Sequence, residues 1–187
     1  MNLRDKLRIP LKLKEISRTP YAGERHETTA EHTFSAIALG EYFLKKYPEI
    51  DELKVIKLLL YHDYAEIYAG DADLLNELAR EKKEIEEKQA LARLEKELPT
   101  EIAREIIELN KEYHERKTIE SKFAKAIDVL DPMLQSLKSK KEWIECNYTE
   151  EKLRAKQLKY LNDFPELKQF WEEMVEELLT NKAITKK

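Results

Sequence analysis

A chain of 187 residues fits one domain and is long enough to bury one core. Charged residues make up 39% of it, yet 34 Lys and Arg stand against 38 Asp and Glu, so the net charge is only −4 and the signs are interspersed. Nothing in that pattern asks for nucleic-acid or membrane binding. The single Cys146 rules out an internal disulfide and reads as a small packed hydrophobe. No apolar run approaches the roughly 18 residues of a membrane span, so the expectation is a soluble, cytoplasmic protein with neither nucleic-acid nor membrane partners.

With 3 Gly and 6 Pro in the chain and apolar residues recurring at three- and four-residue spacing, the predicted fold is all-α, a single helical bundle over 1–187. Thr28 followed by Glu31 is a capping box that opens a helix through Phe34, Ile37, Leu39 and Phe43 to about Tyr47. A second helix begins near Asp51, carries Leu53, Val55, Ile56, Leu58, Leu59 and Leu60, and continues to Ala69, where Gly70 suits the left-handed turn that ends a helix. Its apolar residues lie on several faces, which makes it central. Asp71 to Leu78 forms a short helical turn at most. Arg80 to Leu98 reads as a solvated helix, stopped by Pro99. Thr100 caps a helix bearing Ile102, Ile106 and Leu109. From about Ile119 a stripe of Phe123, Ile127, Leu130, Leu134 and Leu137 marks a core helix, with Pro132 inside it as a point of kinking. Two more helices follow, opened by Thr149 and by Pro165.

Of the 4 His, His26 and His114 stand in polar surroundings and read as surface residues. His32 and His62 lie in strongly apolar segments. His62 is followed by Asp63, and helical spacing puts Glu66 on the face they share. Two carboxylates and an imidazole crowded on an apolar helix cost several kcal/mol to bury without a counter-charge, and a divalent cation is the usual means of offsetting that cost. A donor set of imidazoles and carboxylates without a thiolate suits Mn, Co, Ni, Fe or Zn. Asp128 and Asp131 both flank the stripe of their helix, and periodicity permits either to join the set. The chain has no Gly-rich phosphate loop, G-x-S-x-G elbow, C-x-x-C pair or H-E-x-x-H, which removes nucleotide-cradling, serine-hydrolase and zincin chemistries.

The string HDYAEIYAGD, preceded by LKLKEISRTP and ETTAEH and followed by ESKFAKAIDVLDPMLQ, resembles the H-D-x-x-E-x-x-x-G-D signature of the 5'-deoxynucleotidase branch of the HD-domain superfamily of metal-dependent phosphohydrolases. The resemblance covers roughly residues 11–140. It implies metal ligands at His32, His62, Asp63 and Asp128, a catalytic carboxylate at Glu66, a sugar contact at Asp71 and a phosphate contact at Arg18. The implied activity is hydrolysis of (deoxy)ribonucleoside 5'-monophosphates, with a small-molecule nucleotide as partner; homodimerisation is left open. That branch carries a Trp within a few residues of the Arg, whereas the nearest aromatic here is Tyr21. Two alternatives compete: an HD phosphohydrolase acting on another nucleotide phosphate ester, and a non-catalytic helical scaffold, against which the presence of all four ligand positions and Glu66 weighs.

Overall fold

The computed structural model describes residues 1–71, 77–137 and 139–187. A short helix α1 (Leu3–Arg8), capped by the Asn2 side chain, leads through a 3₁₀ segment (Ile9–Lys14) into a two-stranded antiparallel hairpin, β1 (Ser17–Ala22) and β2 (Arg25–Thr28). Gly23 turns between the strands at φ 71. None of these elements has a long enough apolar period to be predicted, and the hairpin is the one sheet among the described residues, apart from an isolated bridge between Thr149 and Thr185.

The helices that follow are α2 (Thr29–Leu44), α3 (Glu52–Tyr61), α4 (Glu66–Ala69), α5 (Glu77–Glu97), α6 (Thr100–Glu115), α7 (Ile119–Ser136), α8 (Lys141–Glu145), α9 (Glu150–Leu161) and α10 (Pro165–Thr180). The Thr28 capping box is present with both of its bonds, and Thr149 caps α9 as predicted. Thr100 does not cap α6: it is the first helical residue, after Pro99, and no side-chain cap bond forms. The expected turn between Asp71 and Leu78 lies mostly outside the described residues.

Three central helices, α2, α3 and α7, pack against one another. Ala36, Val55, Leu58, Leu59, Phe123, Ile127 and Leu130 meet there with no exposed surface, each large side chain contributing roughly 1.5–3 kcal/mol by burial. Gly40 eases the approach of α2 to α3, because a Cβ there would lie 3.0 Å from Leu59 Cδ1 and that methyl would have to give way. Gly40 sits two turns from His32, so the same contact brings the two histidine-bearing segments together. The stripe on α7 is buried up to Leu130, but Leu134 is 40% exposed and Met133 takes the inward place. Pro132 stands within α7 without ending it. Helices α9 and α10 close the far side through Leu153, Leu161, Trp171 and Leu178. A smaller cluster of Ile9, Leu13, Tyr64, Ile67, Leu94, Leu98 and Ile106 fixes the 3₁₀ segment and α4 against α5 and α6. No helix among the described residues is long and apolar enough to cross a membrane.

The second predicted helix is interrupted. α3 stops at Tyr61, and residues 62–65 form turns with Tyr64 N bonded to Tyr61 O and Glu66 N to Asp63 O, three residues back. The cause is competition for carbonyls. His62 Nδ1 donates to Leu59 O at 2.7 Å and Asn110 Nδ2 donates to His62 O at 3.0 Å, two acceptors that a continuous helix would have offered to the backbone.

Candidate functional site

Four of the residues singled out in the sequence converge. His32 Nε2 lies 3.3 Å from His62 Nε2, 3.1 Å from Asp128 Oδ1 and 3.8 Å from Asp63 Oδ2. His62 Nε2 lies 3.1 Å from Asp63 Oδ2 and 3.5 Å from Asp128 Oδ1. Both imidazoles are buried and both carboxylates nearly so. His32, His62 and Asp63 each present a ligand atom within 4.8 Å of the others, and Asp128 faces both histidines.

The tautomers follow from the outer bonds. His62 Nδ1 must carry hydrogen to donate to Leu59 O, and His32 Nδ1 donates to Asp131 Oδ2 at 2.7 Å. Each Nε2 is thereby turned inward as an electron-pair donor. Two such nitrogens 3.3 Å apart, with two carboxylate oxygens beside them, repel unless something positive lies among them. The titration behaviour agrees. Burial opposes charge on His62, yet Asp63 and Asp128 push it up to about 10. Burial and Arg18 oppose charge on His32, and Asp128 and Asp131 still raise it. The site favours a cation here, and a donor set of two imidazoles and two carboxylates fits a divalent metal.

Asp131, which periodicity left level with Asp128, points to the outer face of His32 and also accepts Ser35 Oγ at 3.0 Å. Asp128 is held by Tyr113 Oη at 2.6 Å and Lys125 Nζ at 2.7 Å, both on Oδ2, which leaves Oδ1 facing the histidines. Against its burial, the charge of Lys125 and the bonds to His32 and His62 keep the Asp128 carboxyl well below its ordinary range.

Arg18, carried by β1, reaches the cluster from the side. Its Nη1 donates to Asp63 Oδ2 at 3.0 Å and lies 4.0 Å from Glu66 Oε1, while Nε faces the buried Glu27 at 3.3 Å. Glu66, at the start of α4, is buried and accepts Thr29 Oγ1 at 2.9 Å. Burial and the charges of Asp63 and Asp71 push its carboxyl up to about 8, against Arg18 and Lys83. Asp71 does not join the histidine cluster. It follows Gly70, whose φ of 75 turns the chain back, and faces Lys83 Nζ at 3.8 Å. Tyr21 is engaged elsewhere, stacked on His26 at 4.3 Å with Lys141 over its ring. His26 and His114 are exposed, as read from the sequence.

The sequence reading missed Glu27, Lys83, Asn110, Tyr113 and Lys125. Asn110 and Tyr113 had a legible signal, since they continue the stripe of Ala103 and Ile106 as polar-bearing residues on a buried face. Glu27 and Lys83 had none, because the hairpin and the approach of α5 are tertiary features.

The HD-domain family model matches residues 11–168. The chain belongs to the HD-domain family. It is 31% identical over 140 residues to 5'-deoxynucleotidase HDDC2 of Dictyostelium discoideum, covering 70% of this chain and 74% of that protein. Against 5'-deoxynucleotidase HDDC2 of Homo sapiens it is 27% identical over 133 residues, covering 70% and 66%. Among solved structures, the predicted metal-dependent phosphohydrolase of Magnetospirillum magnetotacticum MS-1 superposes with a TM-score of 0.83 at 29% identity over 97% of this chain and 93% of that one.

Proposed function

We propose that this protein is a metal-dependent 5'-nucleotidase that hydrolyses (deoxy)ribonucleoside 5'-monophosphates to nucleoside and phosphate. One observation carries the reading. His32, His62, Asp63 and Asp128 face one another as a donor set for a cation, a nearly buried guanidinium, Arg18, contacts Asp63, and a buried carboxylate, Glu66, lies 4.0 Å from that guanidinium. Membership of the HD-domain family and the 5'-deoxynucleotidases among its relatives agree with it.

His32, His62, Asp63 and Asp128 would hold the ion, with Mn, Co, Ni, Fe or Zn as candidates. When bound, a divalent ion supplies Lewis-acid polarisation of the phosphate and acidifies a water. Glu66 takes the proton of the attacking water; burial and the charges of Asp63 and Asp71 raise its carboxyl, which makes its ionised form the stronger base. Arg18 binds the phosphate through paired N–H groups and stabilises the charge that grows on it. Asp71, beyond the cluster, accepts a hydrogen bond from a sugar hydroxyl. Tyr21, turned toward His26 and Lys141, supplies no aromatic wall beside Arg18, which favours acceptance of ribose and deoxyribose alike.

The test is phosphate release from a panel of nucleoside 5'-monophosphates by protein loaded with each of the five metals. The reading requires turnover of at least one monophosphate that chelator abolishes and metal restores. Turnover confined to triphosphates or cyclic nucleotides would refute the substrate class, and metal-independent turnover would refute the site.

A further inference from the structure

One basic side chain at this site has no role in the scheme above. Lys83 comes from α5, outside the signature string that ends at Asp71, and its side chain is largely buried. Its Nζ lies 3.6 Å from Glu66 Oε1, 3.8 Å from Asp71 Oδ1 and 3.6 Å from Glu87 Oε1. A lysine drawn in merely to neutralise charge usually settles onto one carboxylate at hydrogen-bonding distance, as Lys125 does on Asp128 at 2.7 Å. Among the described residues, Lys83 instead stands between three acids without closing on any of them, which leaves its hydrogens to a ligand.

Its position relative to Arg18 gives it a purpose. The same oxygen, Glu66 Oε1, has Arg18 Nη1 at 4.0 Å on the side of Asp63 and Lys83 Nζ at 3.6 Å on the side of Asp71. On the proposed function, Arg18 holds the phosphate and Asp71 the sugar. The bond to be broken, from phosphorus to the sugar's 5' oxygen, joins those two groups, and Lys83 is the cation at their junction.

We propose that Lys83 is the general acid of the reaction, protonating the 5' oxygen of the leaving nucleoside; this rests on the nucleotidase reading of the same site. An alkoxide is a poor leaving group, and an acid placed at it removes most of the penalty. The balance is simple. The water oxygen bonds to phosphorus as Glu66 takes one of its protons; the P–O5' bond breaks with its electron pair passing to O5', which takes a proton from Lys83 Nζ. The proton on Glu66 then returns to the neutral amine across the 3.6 Å that separates them, and both groups are restored. The surrounding carboxylates keep the ammonium charged, which raises the Lys83 pKa in spite of burial.

The experiment compares a nucleoside 5'-monophosphate with its analogue bearing sulfur in place of the bridging 5' oxygen. A thiolate, whose conjugate acid has a pKa of about 8.5, departs without a proton. Lys83→Met should lower kcat on the oxygen ester by about 10²- to 10⁴-fold, the range for a lost general acid, and on the sulfur analogue by less than about tenfold. Lys83→Arg keeps the charge but is a far weaker acid, so it should resemble Lys83→Met on the oxygen ester. The comparison is a ratio within each variant and does not depend on how much of the preparation is folded. Equal losses on both substrates, or recovery by Lys83→Arg, would overturn the proposal and leave Lys83 an electrostatic role only. Wild-type protein that releases phosphate from neither substrate would instead overturn the nucleotidase reading itself, and this assignment with it.

Discussion

Replacing Asp131 tests the division between the residue proposed to hold the metal and the one proposed to orient a ligand. The Asp131 carboxylate is buried and accepts His32 Nδ1 at 2.7 Å and Ser35 Oγ at 3.0 Å. Ser35 loses little in Asp131→Ala, since its hydroxyl also reaches Glu31 O and His32 O, each at 3.1 Å. His32 loses more: its Nδ1–H is left unpaired in a fully buried ring, a penalty of about 1–3 kcal/mol. The freed ring can also take the other tautomer, which turns a hydrogen rather than a lone pair toward the cluster. Loss of such an outer partner typically costs about 10- to 100-fold in metal affinity, or roughly 1.4–2.7 kcal/mol. Asp128→Ala should behave differently, removing an oxygen that faces both histidines and leaving Lys125 and Tyr113 without their acceptor, so that binding is lost rather than weakened. Isothermal titration with Mn or Co, on protein stripped by chelator, reads both. If Asp131→Ala abolishes binding while Asp128→Ala merely weakens it, the two aspartates have been assigned the wrong way round.

Glu66→Ala should retain metal and substrate affinity while turnover falls about 10²- to 10⁴-fold; near-normal hydrolysis with metal bound would remove Glu66 from the role of base. Chelation should lower the melting temperature and any metal that binds should restore it, because binding only to the folded state stabilises it by mass action; an unchanged melt after verified removal contradicts the site. Metal affinity should rise with pH through the neutral range, since a proton held by His62, whose pKa is pushed up to about 10, must leave as metal enters; a flat profile from about pH 6 to 9, below that value, would show that no histidine proton is displaced. Glu142 gives a stability signature of its own. Burial and then the neighbouring Glu27 and Glu145 raise its carboxyl from 4.5 to about 7, against the Tyr21 N–H that it accepts. A raised acid binds its proton more tightly in the folded state, so stability should fall as pH rises from 4.5 to about 7 and level off above, by at most about 3 kcal/mol; Glu142→Gln should flatten that slope, and parallel melting curves for the two proteins would refute it.

Much of the helical framework was legible because its causes are local. The Thr28 and Glu31 cap, the Thr149 cap and the first-turn Pro165 act within one turn of chain, and each helix begins where they place it. The α7 stripe was legible up to Leu130 for the same reason, since periodicity reports a face. It failed at Leu134 because a face is buried only where another element covers it, and Met133 is the residue covered instead. The hairpin escaped notice because its alternation is short and its residues are tied by distant partners: Glu142 accepts Tyr21 N, and Gln135 Nε2 donates to Tyr21 O. Arg18 was therefore found by resemblance alone, while the strand that aims it had no signal in the local sequence.

The H-D-x-x-E string was read as three groups on one face of a continuous helix, and the groups do end up together, but by a different route. In a continuous helix His62 would spend its Nδ1 on solvent or a side chain, and its ring would be free to rotate. Here the helix ends at the histidine, so that the carbonyl of Leu59 becomes available to Nδ1 and that of His62 to Asn110. The backbone bonds given up in residues 62–65 are thus exchanged for bonds that lock the ring and anchor its main chain to α6. The residue sequence of the motif places the groups within reach of one another; Asn110, outside the motif and 48 residues away, keeps the turn in place. Asn110→Ala should accordingly cost about 1–3 kcal/mol for the buried carbonyl left unpaired and loosen His62 without touching any proposed ligand. Its expected mark is a weaker metal affinity with turnover of the loaded protein preserved; an Asn110→Ala protein that is destabilised yet binds metal as tightly as the wild type would show that the turn holds its shape without it.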